Sequence, residues 1–340
     1  MHLLTIVLLT EIEGVRARLE ANDASYEKYL EDNYGPAVRS AEEIGNLANL
    51  DLTVDVHFEK ANSAASQKWF DSAVESNPTI IGSYLREGSH SIFYRYAPFS
   101  IIARSSEGRL RVDALFEMTR RFRAFKILGR DEIFAFYQVL MRRTVHFPYF
   151  LLLGQKGFSL LHASMSCRGE DAVLFMGLNG AGKTTAALSL LPEMSIMADN
   201  FALFDGNRAF GFPEMLRIPA NAVLDAGTKD GGRIVDGKTQ VKMAGGSGNA
   251  RFRPRACVII KRGRINSWEE TPRDGAIEYL EAIDRFQHET DDFSYLTFIR
   301  DRSPPKVYPK CEYYVATVSD REGSRAMIRD KVGGLLGLRF

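Results

Sequence analysis

The sequence carries no excess of either charge: 44 Lys and Arg stand against 43 Asp and Glu over 340 residues, a formal charge of +1. That removes the broad basic field with which a protein coats nucleic acid. Cysteine is scarce, with Cys167, Cys257 and Cys311 far apart in the chain and never in a CxxC spacing. Neither a zinc site nor a disulfide framework is signalled, and three buried free thiols are expected. Long apolar runs are missing as well. MHLLTIVLLT passes directly into EIEGVRARLE without a basic leader, and the run Phe147 to Leu153 is equally brief. Both are too short to span a bilayer, and the first has the wrong flank for a secretory signal. The expectation is a cytoplasmic protein without membrane contact. There is no internal repeat and no heptad. What the chain does hold is 45% hydrophobic and 26% charged residues, the balance of a globular chain with a large core, at a length that suits one large domain or two smaller ones.

Residues 1–145 read as an α+β domain. Leu3–Leu9 and Leu52–Phe58 alternate as strands do, and Ser91–Arg104 continues as one extended stretch. Asp131–Arg143 places Ile133, Phe136, Val139 and Leu140 at helical spacing, with Pro148 limiting its continuation. Residues 146–340 form a second region of strands and helices. Strands are expected at Phe158–Met165, Ala172–Met176 and Ser195–Ala198, and a helix at Lys183–Leu191, stopped by Pro192. Two short strands, Phe201–Phe204 and Ala209–Phe212, flank the turn Asp205-Gly206-Asn207; a strand at Ala256–Lys261, a helix at Pro272–Phe286 and a last strand at Tyr313–Val318 follow. Between them Ala226–Ala250 holds seven glycines among polar residues. So little apolar surface predicts a connector or a mobile lid over a site, bringing Lys242 or Arg251 towards it.

One segment carries recognisable chemistry. Gly177-Leu-Asn-Gly-Ala-Gly-Lys-Thr184 fits GxxxxGK[ST] and lies between the strand AVLFM and the helix TTAALSLL. Gly177, Gly180 and Gly182 allow backbone conformations that turn successive N–H groups inward, and the following helix adds its positive end. Leu178, Asn179, Ala181 and Thr185 complete this phosphate cradle. Lys183 would reach the β- and γ-phosphates of ATP, and the Thr184 hydroxyl would coordinate Mg²⁺. No LSGGQ-like signature and no apolar run ending in Asp-Glu follows, which disfavours a transporter ATPase, and the absence of an NKxD-type motif weighs against a GTPase.

What does accompany the loop is Ser159-Leu-Leu-His162-Ala-Ser before it and Ile196-Met-Ala-Asp199-Asn200 after it. This run, over about Phe147–Pro219, resembles the HPr kinase and ATP-dependent phosphoenolpyruvate carboxykinase superfamily. There a strand bearing Leu-His-Ala/Cys-Ser precedes the phosphate loop and an Asp-Asp pair ends a later strand. The shorter HPr-kinase-like proteins, some from biosynthetic clusters, are the closer match. The resemblance does not extend into the first ~100 residues; it implies an α/β (α+β) fold with a P-loop catalytic domain on a mixed sheet, and the smaller α+β domain that precedes it is the candidate for acceptor recognition. It implies a phosphotransferase in which Asp199 is the base towards an acceptor hydroxyl and sits near the metal. His162 approaches the γ-phosphate or hydrogen-bonds the Asp; read alone, a histidine beside apolar residues is a core residue. Asn200 stands where the second Asp is expected and supplies no charge. Glu214 and Arg217, in GFPEMLRIP, fall where related kinases place polar groups near substrate and metal; as residues alone they read equally as loop charges. Related kinases are often oligomers.

Two basic clusters remain: Arg120, Arg121, Arg123 and Lys126, then Arg251, Arg253 and Arg255. Such runs are usually solvated faces, although an arginine of the second cluster also suits transferred phosphate. The acceptor, whether a Ser or Thr of a protein or peptide or a small alcohol, is not encoded in any motif. A nucleotide-binding regulatory protein that has lost catalysis, and an ATPase driving conformational change, are the competing readings, the first motivated by Asn200.

Overall fold

Alternation of buried and exposed side chains makes the first part of the chain a sheet. In Leu52–Lys60 the residues Leu52, Val54, Val56 and Phe58 are buried and their neighbours are not, and Val15–Ala21 repeats the pattern through Val15, Ala17, Leu19 and Ala21. A period of two hides one face of a strand. The computed structural model describes residues 7–45, 47–73, 79–81, 84–87, 91–96, 98–219, 233–235, 238–241, 250–290, 306–319 and 321–338. They fall into two units, one running to Lys156 and the other holding the described residues from Gly157 onward. Both are mixed α/β structures. Among the described residues no helix is long and apolar enough to cross a membrane.

The first unit is built on β1 (Val7–Ile12), β2 (Val15–Ala21), β3 (Leu52–Lys60), β4 (Thr79–Ile81), β5 (Tyr84–Glu87), β6 (Ser91–Tyr96), β7 (Phe99–Ser106) and β8 (Arg109–Met118), ordered β1-β2-β3-β8-β7-β6-β5-β4 across one sheet. β2, β3 and β8 are parallel and the other pairings antiparallel. The stretch expected to be one extended piece from Ser91 to Arg104 is therefore a hairpin, with Tyr96 opposite Phe99 and Pro98 in its turn. The helices are α1 (Ala24–Tyr34), α2 (Ala41–Ile44), α3 (Ala64–Ala73), α4 (Arg120–Ile127), α5 (Glu132–Met141) and α6 (Phe147–Gln155). Buried Asp23 caps α1 by accepting from the Ser25 and Tyr26 amides, both at 3.1 Å, and also binds the Tyr137 hydroxyl of α5 and the Lys126 ammonium of α4. One carboxylate thus ties three helices.

Pro148 does not end the helix of Asp131–Arg143. The chain passes from α5 through a π-helical turn, Arg142–His146, into α6, with the Phe147 amide donating to Arg142 O. Proline then occupies the first turn of α6, where its missing N–H removes no helical bond. The division between units consequently falls after Lys156 and not at 145/146: Tyr149 of α6 hydrogen-bonds Thr10 of β1, and its ring stacks on Tyr34 of α1 at 6.2 Å.

The second unit centres on a six-stranded sheet formed by β10 (Ala163–Arg168), β11 (Asp171–Met176), β12 (Ser195–Ala198), β18 (Arg253–Arg262), β19 (Ser267–Glu270) and β20 (Glu312–Val318), in the order β12-β10-β11-β18-β20-β19. β11, β18 and β20 are parallel. One face packs Val173, Phe175, Val258 and Ala316 against α7 (Lys183–Leu188) and α9 (Arg321–Leu336); the other packs Leu174, Ile259 and Tyr313 against α8 (Arg273–Thr290). Two three-stranded sheets flank it: β9 (Ser159–Leu161) with β13 (Ala202–Phe204) and β14 (Ala209–Gly211), and β15 (Leu216–Pro219) with β16 (Arg233–Val235) and β17 (Lys238–Val241). The expected strand Phe158–Met165 is thus two strands in different sheets, broken at His162.

The glycine-rich stretch also departs from expectation. Its segments Arg233–Val235 and Lys238–Val241 pair with each other, and Lys238–Val241 also with β15, burying Thr239 and Gln240; the sequence RIVDGKTQV has the β-branched residues and Asp-Gly of a hairpin, and the other six glycines gather outside it. Lys242 and the rest of the stretch up to Asn249 lie outside the described residues. All three cysteines are free thiols, but Cys311 is only half-buried and its Sγ lies 3.6 Å from that of Cys257.

His146 yields a pH test. It is buried beside Arg142 between the rings of Tyr34 and Phe150, and burial first, then the Arg142 charge, hold its pKa well below the usual 6.5. The unfolded chain therefore binds a proton that the native one refuses, so stability present above the unfolded pKa is lost as pH falls towards the folded one. The expected outcome is that His146→Phe flattens the fall in denaturant midpoint between pH ~7.5 and ~5.5. An acid slope equal to that of the wild type would show that another group carries it.

Candidate functional site

The site begins where β11 ends. Parallel pairing sets Met176 opposite Ile259, so the next residue, Gly177, meets the β18 backbone: a Cβ placed there would lie 2.5 Å from Ile260 O. Gly177 has φ +140°, a conformation open essentially to glycine alone. Leu178, Asn179 and Gly180 form the exposed tip of the turn, closed by the Ala181 amide on Leu178 O at 3.1 Å, and Gly182, at φ +112°, is the N-cap of α7. Lys183 is buried and folds back along the loop, donating to Gly177 O at 2.9 Å and Leu178 O at 3.1 Å. Thr184 and Thr185 follow, half-buried, in the first turn of α7.

Asp199 meets this loop from the end of β12. It is 2% exposed. Its Oδ1 accepts from the Thr184 hydroxyl at 2.5 Å, its Oδ2 accepts from the Arg217 amide at 2.9 Å, and its carbonyl accepts from the Ser164 hydroxyl at 2.8 Å. Four elements converge: α7, β12, β10 through Ser164, and β15 through Arg217. Arg217 takes part through its backbone N–H, at the point where β15 pairs with the hairpin of the glycine-rich stretch. Glu214 is buried shortly before that strand. Asn200, next to Asp199, accepts from the Ala163 amide through its carbonyl, while its Nδ2 is enclosed with no hydrogen-bond partner among the described residues. His162 occupies the break between β9 and β10, two residues before Ser164, with its ring 5.8 Å from that of Phe201.

Arg251 stands elsewhere. β18 runs parallel to β11 with Arg253 opposite Asp171, so its start lies at the far end of the sheet, about 16 Å from the loop at ~3.3 Å per residue. There Arg251 is ion-paired with Asp205 and lies over the Phe210 ring, and Arg253 pairs with Asp171 at 2.7 Å. Strand direction removes this cluster from the loop and puts a different arginine there. Arg262, the last residue of β18, has Nε and Nη2 each 3.4 Å from Gly180 O. The sequence marked this strand but not its direction, which is the one fact that identifies Arg262. The other basic cluster belongs to α4 of the first unit, where Lys126 is bound to Asp23.

This arrangement offers a cation, Lys183, within a glycine turn, and a hydroxyl and a carboxylate oxygen in contact beside it. Among the described residues no three His, Cys, Asp or Glu side chains are grouped to hold a metal on their own. No protein-family model matches the chain, and no curated protein matches it significantly.

Two glycines separate strain from steric contact. Gly180 has φ +76° but open space at its Cβ position, whereas Gly177 faces Ile260 O. Gly180→Ala is expected to cost about 1–2 kcal/mol from backbone conformation alone, and Gly177→Ala more than that because β18 must move. Denaturant titrations compare the two, and equal losses would show that the loop does not rest on β18.

Proposed function

We propose that the chain is an ATP-dependent kinase of the HPr-kinase-like type that transfers the γ-phosphate to a hydroxyl acceptor. The observation that carries the reading is the Thr184–Asp199 contact, which brings the oxygen donor named by the motif and the one implied by the resemblance, 15 residues apart, to 2.5 Å of each other. A hydroxyl and one carboxylate are the protein oxygens that Mg²⁺ takes when phosphates and waters complete its shell. The Asn200 Nδ2, next to Asp199 in the chain, is a buried donor without a partner among the described residues. The residues therefore fit Mg-ATP, with Thr184 and Asp199 towards the metal and Gly177–Thr185 around the phosphates. Magnesium supplies charge neutralisation of the phosphate oxygens.

The chain's own residues do the rest. Lys183 and the α7 N-terminus offer positive charge to the phosphates, and Arg262 stands against Gly180 of the turn. The Asp199 carboxylate is fixed on Oδ2 by the Arg217 amide, so Oδ1 is the oxygen turned to the loop and the one to accept a proton from the acceptor hydroxyl. Ser164 holds the Asp199 backbone and so sets where that oxygen lies.

The test is incubation with γ-labelled ATP, Mg²⁺ and lysate from the host, with label followed in protein, peptide and small-molecule fractions. Asp199→Asn is expected to retain nucleotide and lose transfer by at least ~10², the low end for a positioned base; Lys183→Ala is expected to weaken ATP binding and abolish transfer with the fold intact. A fully active Asp199→Asn protein would remove Asp199 from the chemistry. Tight ATP binding without transfer to any fraction would favour the regulatory reading, for which the uncharged Asn200 is the motive.

A further inference from the structure

The second unit has a pocket of about 700 Å³ at the end of its sheet opposite the glycine loop. It lies where β18 and β20 begin, beside the turn between β13 and β14 and the first residue of α8. Four cations line it, Arg253, Arg255, Arg273 and Lys310, against the single carboxylate of Glu312. Arg253 is committed to Asp171, and Glu312 accepts from the Tyr314 hydroxyl at 2.8 Å. Arg255, Arg273 and Lys310 make no ion pair among the described residues. They come from three separate segments, and Arg273 is anchored by main-chain carbonyls, with Nε 3.4 Å from Pro309 O and Nη2 3.4 Å from Tyr308 O, which orient the guanidinium without neutralising it.

We infer that this pocket is a second binding site, for a small phosphorylated molecule carrying at least two negative charges. Its volume is that of a small-ligand cleft. Its walls include Phe204, Pro254 and Pro309, apolar surfaces that suit a compact organic body beyond the anion. Guanidinium groups match phosphate oxygens in pairs, and the amino end of the 18-residue helix α8 adds its positive pole through Arg273. A concave site fits such a molecule better than an extended acidic peptide. The inference is independent of the nucleotide reading, because the strand direction that brings Arg262 to the loop carries Arg255 about 12 Å away from it, at ~3.3 Å per residue.

Cys311 provides the readout. It lines the pocket and is the one partly exposed thiol, Cys167 and Cys257 being buried. Inorganic pyrophosphate is titrated by calorimetry into the wild type, into Lys183→Ala and into Arg255→Ala/Lys310→Ala, both of whose changes are at exposed side chains; iodoacetamide labelling of Cys311 is timed in parallel. Lys183→Ala is expected to keep a saturable site whose occupation slows Cys311 labelling at least fivefold. The double variant is expected to lose at least tenfold in affinity and all of the protection. Labelling of the wild type reports on this pocket even where Lys183→Ala does not fold. Unchanged Cys311 labelling with pyrophosphate, or a double variant that binds as the wild type does, overturns the site. Equal protection by poly-glutamate overturns the assignment to small phosphorylated molecules.

Discussion

A carboxylate taken out of water must have its oxygens hydrogen-bonded, and Asp199 obeys that constraint in a way that organises the second unit. Its partners are a hydroxyl from the first turn of α7, an amide from β15 and, at its carbonyl, a hydroxyl from β10. None of these contacts is local in sequence. Each can form only when the turn after β11, the strand before Asp199 and the β15 sheet are in place together. Loss of the Thr184 or Arg217 donor leaves a buried carboxylate oxygen short of a partner, and loss of Ser164 leaves the Asp199 carbonyl so, each at a cost of about 1–3 kcal/mol. The group read as chemically central is therefore also a structural keystone, and variants at Thr184 or Ser164 act on both at once.

Sheet direction is the second determinant. Because β11, β18 and β20 run the same way, everything that follows them lies at one end and everything that precedes them at the other. The glycine turn, Arg262 and the N-cap of α7 gather at the carboxyl ends, where strand-to-helix turns in parallel sheets expose main-chain donors. Arg253, Arg255 and Lys310 gather at the amino ends. A chain with balanced total charge thus acquires two separated cationic regions without any long basic run in its sequence.

Legibility followed the range of the interactions. The turn Gly177–Thr184, its flanking strand and the helix after it were readable because a glycine turn between strand and helix is specified by contiguous residues, and Ser195–Ala198 and the Asp205-Gly206-Asn207 turn were readable for the same reason. The break at His162 was not, since Phe158–Met165 has uniform strand propensity and only the separate partners of β9 and β10 split it. The β15–β17–β16 sheet was hidden by the glycines around it, although RIVDGKTQV carries hairpin chemistry. Pro148 misled because a π turn ahead of it restores helical continuity, which propensity alone does not encode. Arg262 was missed and Arg251 favoured for a single reason: charge is visible in sequence, whereas the direction of a strand relative to its neighbour is not.

Asn200 carries the last step of the synthesis. A second carboxylate beside Asp199, enclosed as the Asn200 amide is, would place two like charges in one desolvated site and raise the pKa of one of them. The amide avoids that repulsion and presents a donor where a carboxylate would present only acceptors. On the kinase reading the protein then contributes a single negative charge towards a divalent cation, so the phosphates of the nucleotide must supply most of the attraction, and the metal is held as part of Mg-ATP rather than by the apoprotein. On the same reading an amide in place of a carboxylate shifts the local recognition from cation towards oxyanion, in keeping with the cations Lys183 and Arg262 on the turn, which bind its Gly177 and Gly180 carbonyls. On that reading the site is balanced towards holding a polyanion, with Asp199 its one carboxylate.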